Sequence, residues 1–135
     1  MAEHLRVVLA TPEKPVFEGT AVSLVIPAED GALGILRDHV RMIGRVGSGL
    51  LEIARDGRDV QFFACGGFFM VSDNEVKILV DRAYPPSQID IKEATERLGR
   101  AHEMPATSDR EYRAAYAARR NAEGEIRAAT RARCC

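Results

Sequence analysis

Apolar residues in the first part of the chain recur at every second position. Leu5, Val7 and Leu9 form one such run and Val22, Leu24 and Ile26 another, the period of half-buried strands. Leu50 to Arg55 and Val60 to Cys65 are two further runs, and the Asp56–Gly57 pair between them predicts a tight hairpin, because both residue types accept positive φ. Phe68 to Val71 and Val76 to Val80 meet at Ser72 to Asn74, a second turn. No helix-length crossover separates these runs. Short strands joined by turns predict an antiparallel β-sandwich rather than a parallel sheet.

The period changes after Tyr84. Pro85 and Pro86 supply no backbone donor and disfavour helix in the residue before them, so the sheet ends there, dividing 1–86 from 87–135. From Ile89 onward Ile91, Ala94, Leu98 and Ala101 follow helical spacing until Pro105. Ser108 and Glu111 have the spacing of a capping box, which predicts a second helix to about Ala129 with Tyr112, Ala115, Tyr116, Ala122, Ile126 and Ala129 on one side. Two helices and a short loop make an antiparallel hairpin, so the predicted class is α+β. Its shared face is mostly alanine. At about 0.8 kcal/mol per buried CH₂ such a stripe holds weakly, which is a precondition for a pair with two arrangements.

Apolar content of 46% over 135 residues suits a globular chain with one substantial core. No run of about 18 apolar residues and no signal-like start are present, so a cytosolic protein is expected. Cys65 reads as a small core residue, and the terminal Cys134 and Cys135 as a solvated thiol pair. The three fit neither a zinc spacing nor a disulfide framework. Net charge is −1, but residues 107–135 carry seven cations, all arginine, against four acids. Guanidinium pairs bidentately with carboxylate or phosphate, so this end favours an acidic partner surface. Nucleic acid is the weaker partner class, since the body of the chain is slightly acidic.

Candidate chemistry is sparse. Asp38 and His39 resemble an acid–base pair, yet neighbours in an extended strand point to opposite faces. His4 and His102 have no partners at ligand spacing, so no metal is expected. Gly31, Gly34, Gly44, Gly47 and Gly49 lack the Lys-Ser/Thr of a phosphate loop and read as turns and bulges. No catalytic residue and no cofactor are expected.

Pro27 to Leu36, with Gly31, Gly34 and Ile35 in it, followed by His39 and by Gly47 to Leu51, resembles the signature of the epsilon subunit of rotary ATP synthases. Cys65 to Val71 resembles that family's Gly-Gly strand and Lys77 to Asp81 its closing strand, so the likeness spans nearly the full length. The resemblance implies a non-catalytic central-stalk subunit of a proton-translocating ATP synthase. Such a subunit lies peripherally at the cytoplasmic face of the cell membrane and couples the gamma subunit to the c-subunit ring. It further implies a helical pair that reaches the alpha/beta catalytic head and restrains ATP hydrolysis.

By the same resemblance, Gly31, Ala32, Leu33 and His39 are candidates for c-ring contact, Phe68, Phe69 and Met70 for gamma contact, and Arg113, Arg119, Arg120 and Arg127 for the inhibitory helix. Ala32 stands where the family carries a polar or acidic residue, and Arg37, Asp38 and Arg41 also depart from its pattern. Some members bind ATP through a run to which Ile89, Asp90 and Ala94 correspond. Here Glu93 replaces its arginine, so weak or absent ATP binding is expected. The competing reading is a free-standing β-sandwich binding module with a basic helical tail.

Overall fold

The computed structural model describes residues 4–133, with side-chain surroundings for 4–130. Cys134 and Cys135 lie outside the described residues. Eight strands come first: β1 (Leu5–Ala10), β2 (Pro15–Ala21), β3 (Ser23–Ala28), β4 (Gly31–Leu36), β5 (Met42–Arg45), β6 (Ser48–Ala54), β7 (Val60–Ser72) and β8 (Glu75–Tyr84). A 3₁₀ turn at Pro86–Gln88 leads into α1 (Ile91–His102) and α2 (Asp109–Arg133). This is the expected sandwich followed by two helices.

The strand order is β2-β1-β8-β7-β6-β3-β4, with β5 also on β7. β1 runs parallel to β8, and the other pairs are antiparallel. The two apolar runs flanking Gly66 and Gly67 are one continuous strand. Its first half carries β6 and its second half carries β5, while β8 lines the other edge. The change of partner happens at Gly66 and Gly67, whose φ angles of 72° and 107° are open to glycine and costly for other residues. A Cβ at Gly67 would also run into the Leu79 carbonyl. β7 can therefore bend and serve both layers.

The core lies between the layers. Leu5, Val7, Leu9, Leu24 and Ile26 are buried as the period-two pattern predicts, and Ile35 of β4 joins them. Val22 is the exception: it sits in the bend between β2 and β3 and is exposed. The turn at Asp73 and Asn74 takes positive φ at both residues, 50° and 62°, as a tight hairpin requires. The connection 55–59 is wider than the expected two-residue turn. Only Gly57 has positive φ there, and the Arg55 amide donates to the Asp59 carboxylate.

The helices pack against each other and α2 packs on β6. Asp90 caps α1 by accepting from the Lys92 and Glu93 amides at 3.0 and 3.2 Å. At the start of α2 the Glu111 amide donates to the Ser108 hydroxyl, half of the expected capping box. The other half differs, because the Glu111 carboxylate accepts from the Thr107 and Ser108 hydroxyls. α2 runs to Arg133, beyond the expected end near Ala129.

Its buried side also differs from expectation. Tyr112 and Tyr116 are exposed, whereas Ala122, Gly124, Glu125, Ala128 and Ala129 are covered. A single-element periodicity could not anticipate that a sheet would cover part of this helix. Leu50, Phe63, Cys65, Ile89, Ala128 and Ala129 form a second, smaller cluster between sheet and helix. β6 is thus buried on both faces, with Leu51 and Ile53 in the sandwich core and Leu50 under α2.

Candidate docking surfaces

The outer face of β5, β7 and β8 carries an apolar strip. Side chains two apart on a strand share a face, so Phe68 and Met70 point the same way, while Phe69 between them points inward. Register sets Phe68 between Arg45 and Leu79, and Met70 between Ile43 and Lys77. Exposure of the four apolar members runs from 39% at Met70 to 71% at Ile43, with Phe68 and Leu79 at 45% each. Two rows result, an apolar centre with a basic residue at one end of each. That composition matches the buried centre and polar rim of protein interfaces.

Phe69 does not belong to this surface. It is 1% exposed, with its ring over Gly44, where a Cβ would come within 2.5 Å of the ring. The expectation of a gamma contact at Phe69 is therefore corrected: Phe69 anchors the core, and Ile43 and Leu79 take the surface places that sequence reasoning missed. Ile43 gave a weak signal beside Met42, in a two-residue apolar run between Arg41 and Gly44. Leu79 gave one as well, as the apolar residue at an outward place in the alternation of Val76, Lys77, Ile78 and Val80.

The candidates Gly31, Ala32, Leu33 and His39 do not gather at one point. Gly31, Ala32 and Leu33 open β4, whereas His39 lies in the loop after its far end, past Leu36. At about 3.3 Å per residue the strand alone separates them by roughly 17 Å. β4 is an edge strand, so a partner touching both ends would lie along that edge. Asp38 has φ 65° and exchanges hydrogen bonds with Asn74, which ties this loop to the β7–β8 turn. His39 Nδ1 contacts the Val40 carbonyl at 2.8 Å. The residues are not in extended strand as expected, and the Asp38 carboxylate is committed to Asn74 rather than to His39.

Arginine positions 113, 120 and 127 recur every seven residues, which places them on one stripe of α2. Arg120 is already occupied: it donates to the Glu29 carbonyl at 2.9 Å and to the Tyr116 hydroxyl at 3.1 Å, holding α2 to the β3–β4 turn. Arg119 and Arg120 both lie over the Tyr116 ring, and Tyr116 stacks on Tyr112. Arg113 and Arg127 are exposed. Exposed Tyr and Arg on a helix are the side chains that most often dominate binding energy. Ile89, Asp90 and Ala94 each have a structural task instead, as a member of the helix–sheet cluster, as the α1 cap and as a fully buried contact.

One charged group stands out in the interior. Glu125 of α2 is 2% exposed and receives two hydrogen bonds from Arg97 of α1, at 2.8 and 2.7 Å. The paired carboxylate raises the Arg97 guanidinium above its ordinary range. Tyr84 of β8 lies within reach of the same carboxylate. Burial first, then that carboxylate, push its phenol up to about 12. Burial also pushes the Cys65 thiol up, only partly offset by Arg82. Sequence reasoning did not single out Glu125, because a glutamate on an arginine-rich helix reads as solvated.

Comparison with known proteins places this geometry. Residues 4–86 match the family described as ATP synthase, Delta/Epsilon chain, beta-sandwich domain. An ATP synthase epsilon chain of Rhodopirellula baltica is 36% identical over 124 residues, covering 92% of this chain and 97% of the relative. Among solved structures, a chain in the Euglena gracilis mitochondrial ATP synthase, OSCP/F1/c-ring in rotational state 1, superposes with a TM-score of 0.79 at 20% identity, covering 100% of this chain and 84% of that one. A chain in the central stalk/c-ring structure of the Tetrahymena thermophila mitochondrial ATP synthase gives 0.67 at 18% identity, covering 95% of each. At such identities the likeness speaks to the fold.

Proposed function

The chain belongs to the ATP synthase delta/epsilon family, and on that premise we propose that it is the non-catalytic epsilon subunit in the central stalk of a proton-translocating ATP synthase. The sandwich rides on the gamma subunit and meets the c-subunit ring. The helical pair 87–135 is a separable regulatory part that reaches the alpha/beta head. No helix in the described residues is long and apolar enough to cross a membrane. The subunit sits at the cytoplasmic face of the cell membrane, held there through the complex.

The observation that carries this reading is the strip of Ile43, Phe68, Met70 and Leu79 on a closely packed sandwich. A torque-bearing part must not yield, and protein interiors packed like organic crystals resist compression. The strip supplies the apolar centre of a stable contact with gamma. The β4 edge, with Gly31, Ala32 and Leu33 at one end and His39 beyond the other, is the side offered to the ring. Arg113 and Arg119, beside the stacked tyrosines, and Arg127 further along the helix attract acidic surfaces on the head. Exposed pairs contribute at most about 1 kcal/mol each, so they act as a group. ATP is not expected to bind, because the motif positions Ile89, Asp90 and Ala94 serve the fold and Glu93 repels phosphate.

Co-purification tests the reading. Tagged chain should retain gamma in a roughly one-to-one ratio. Phe68→Glu with Met70→Lys should abolish capture while the sandwich still melts cooperatively, since residues of this kind each contribute about 2 kcal/mol or more at an interface. Capture unaffected by both substitutions would remove the strip as the gamma surface. Absence of gamma from the wild-type capture would favour the free-standing binding module.

A further inference from the structure

The junction of α1, α2 and the sheet is poorly furnished for a permanent contact. Besides the Arg120 hydrogen bond to the Glu29 carbonyl, α2 meets the sheet through Gly124, Ala128 and Ala129, which bury little apolar area. Gly124 sits so close to β6 that an added Cβ would lie 2.8 Å from the Ser48 carbonyl oxygen. The Ser48 hydroxyl and Arg97 Nε are buried with no hydrogen-bond partner among the described residues. Into this surface α2 also brings the Glu125 carboxylate. A buried carboxylate alone is strongly unfavourable, and its neutralising partner comes from the other helix.

We propose that the Arg97–Glu125 pair is a clamp that makes docking of the two helices on the sheet a single cooperative event. α2 lies firmly on β6 only while α1 supplies Arg97, because otherwise Glu125 enters the junction offset by the neutral Tyr84 phenol and the longer-range charge of Arg82 on the sheet, without its bidentate partner. Loss of the pair releases α2. The pair also defines the cost of holding both helices down. Replacing both partners by apolar side chains of similar size removes that cost and leaves a dry contact, which is often as stable as the ion pair or more so. One partner removed should therefore undock the helices, and both removed should dock them again. This deepens the regulatory reading above and rests on it only for the consequence inside the complex.

Cys65 is a built-in reporter. It lies in the cluster covered by α2 and is 2% exposed, so a thiol reagent reaches it only when the helix lifts. The full chain carrying Cys134→Ser and Cys135→Ser would be treated with dithiobis(nitrobenzoate), with sandwich melting followed in parallel. Arg97→Met and Glu125→Gln should each speed Cys65 labelling by roughly ten- to a hundredfold, with the sandwich melt retained. Arg97→Lys, which keeps the charge but not the fork, should give a smaller acceleration and covers the case of a misfolded Met variant. Arg97→Met combined with Glu125→Leu should return labelling to the parental rate or below it.

Labelling at the parental rate in the single variants would overturn the clamp. So would a double variant that stays as fast as the singles. Both readouts use the isolated chain, so failure of the clamp is separable from failure of the regulatory reading, which is measured as hydrolysis in the assembled enzyme.

Discussion

At the scale of the residue, Phe68, Phe69 and Met70 show how three adjacent apolar side chains divide between two tasks. Phe69 fills the core above Gly44, whereas Phe68 and Met70 face out. Phe69→Ala should cost about 3–5 kcal/mol of stability by the combined loss of transfer energy and the cavity left behind, read as a fall in the denaturant midpoint. Phe68→Ala should leave that midpoint within about 0.5 kcal/mol and weaken gamma capture instead. The parity was not legible beforehand, because an unbroken apolar run does not reveal which members face inward. Alternation at Leu5, Val7 and Leu9 was legible for the opposite reason. Tyr84 offers a second test at this scale. An unfolded tyrosine ionises near 10.0, while burial first and then the Glu125 carboxylate, against the opposing charge of Arg82, make Tyr84 hold its proton to about 12. Its contribution is therefore complete below the unfolded value and is lost as pH climbs through the folded one. The melting temperature should fall more steeply across that alkaline window in the parent than in Tyr84→Phe.

At the scale of the element, β7 and α2 are the two pieces whose surroundings the sequence conceals. The two halves of β7 were recognisable as strands, but their continuity depends on the bend at Gly66 and Gly67, and local pattern does not show that one strand takes two neighbours on one edge. The start of α2 was easier, because Ser108 and Glu111 carry capping chemistry in their own side chains. The buried face of α2 was harder. It mixes alanine and glycine with Glu125, so hydrophobicity understates it. The docked helix should gain from a smaller neighbour at its closest approach. Ser48→Ala removes a buried hydroxyl that has no partner among the described residues, worth about 1–3 kcal/mol. It should slow Cys65 labelling by roughly tenfold or more. Faster labelling would mean that the hydroxyl supports the contact.

At the scale of the whole molecule, a stiff block with an apolar outer strip is joined to two helices that one charged pair ties to each other, with α2 meeting the sheet through small residues and the Arg120 contact to the Glu29 carbonyl. The large core between the layers contains no member of α1 or α2, and the smaller cluster contains Ala128 and Ala129 of α2. The helices can therefore leave without opening the sandwich core. Family likeness was legible in Pro27 to Leu36 and in the Gly-Gly strand. The proposed sharing of work between strip, edge and clamp depends on contacts between segments distant in sequence. Such a division suits a rotor part that transmits torque through one portion and regulates through another. ATP hydrolysis by the purified complex, assembled with the full chain or with a chain lacking residues 107–135, is the most direct measurement. Truncation should raise hydrolysis with gamma and the c-ring still assembled. Unchanged hydrolysis in a fully assembled truncated complex would contradict a regulatory helical pair.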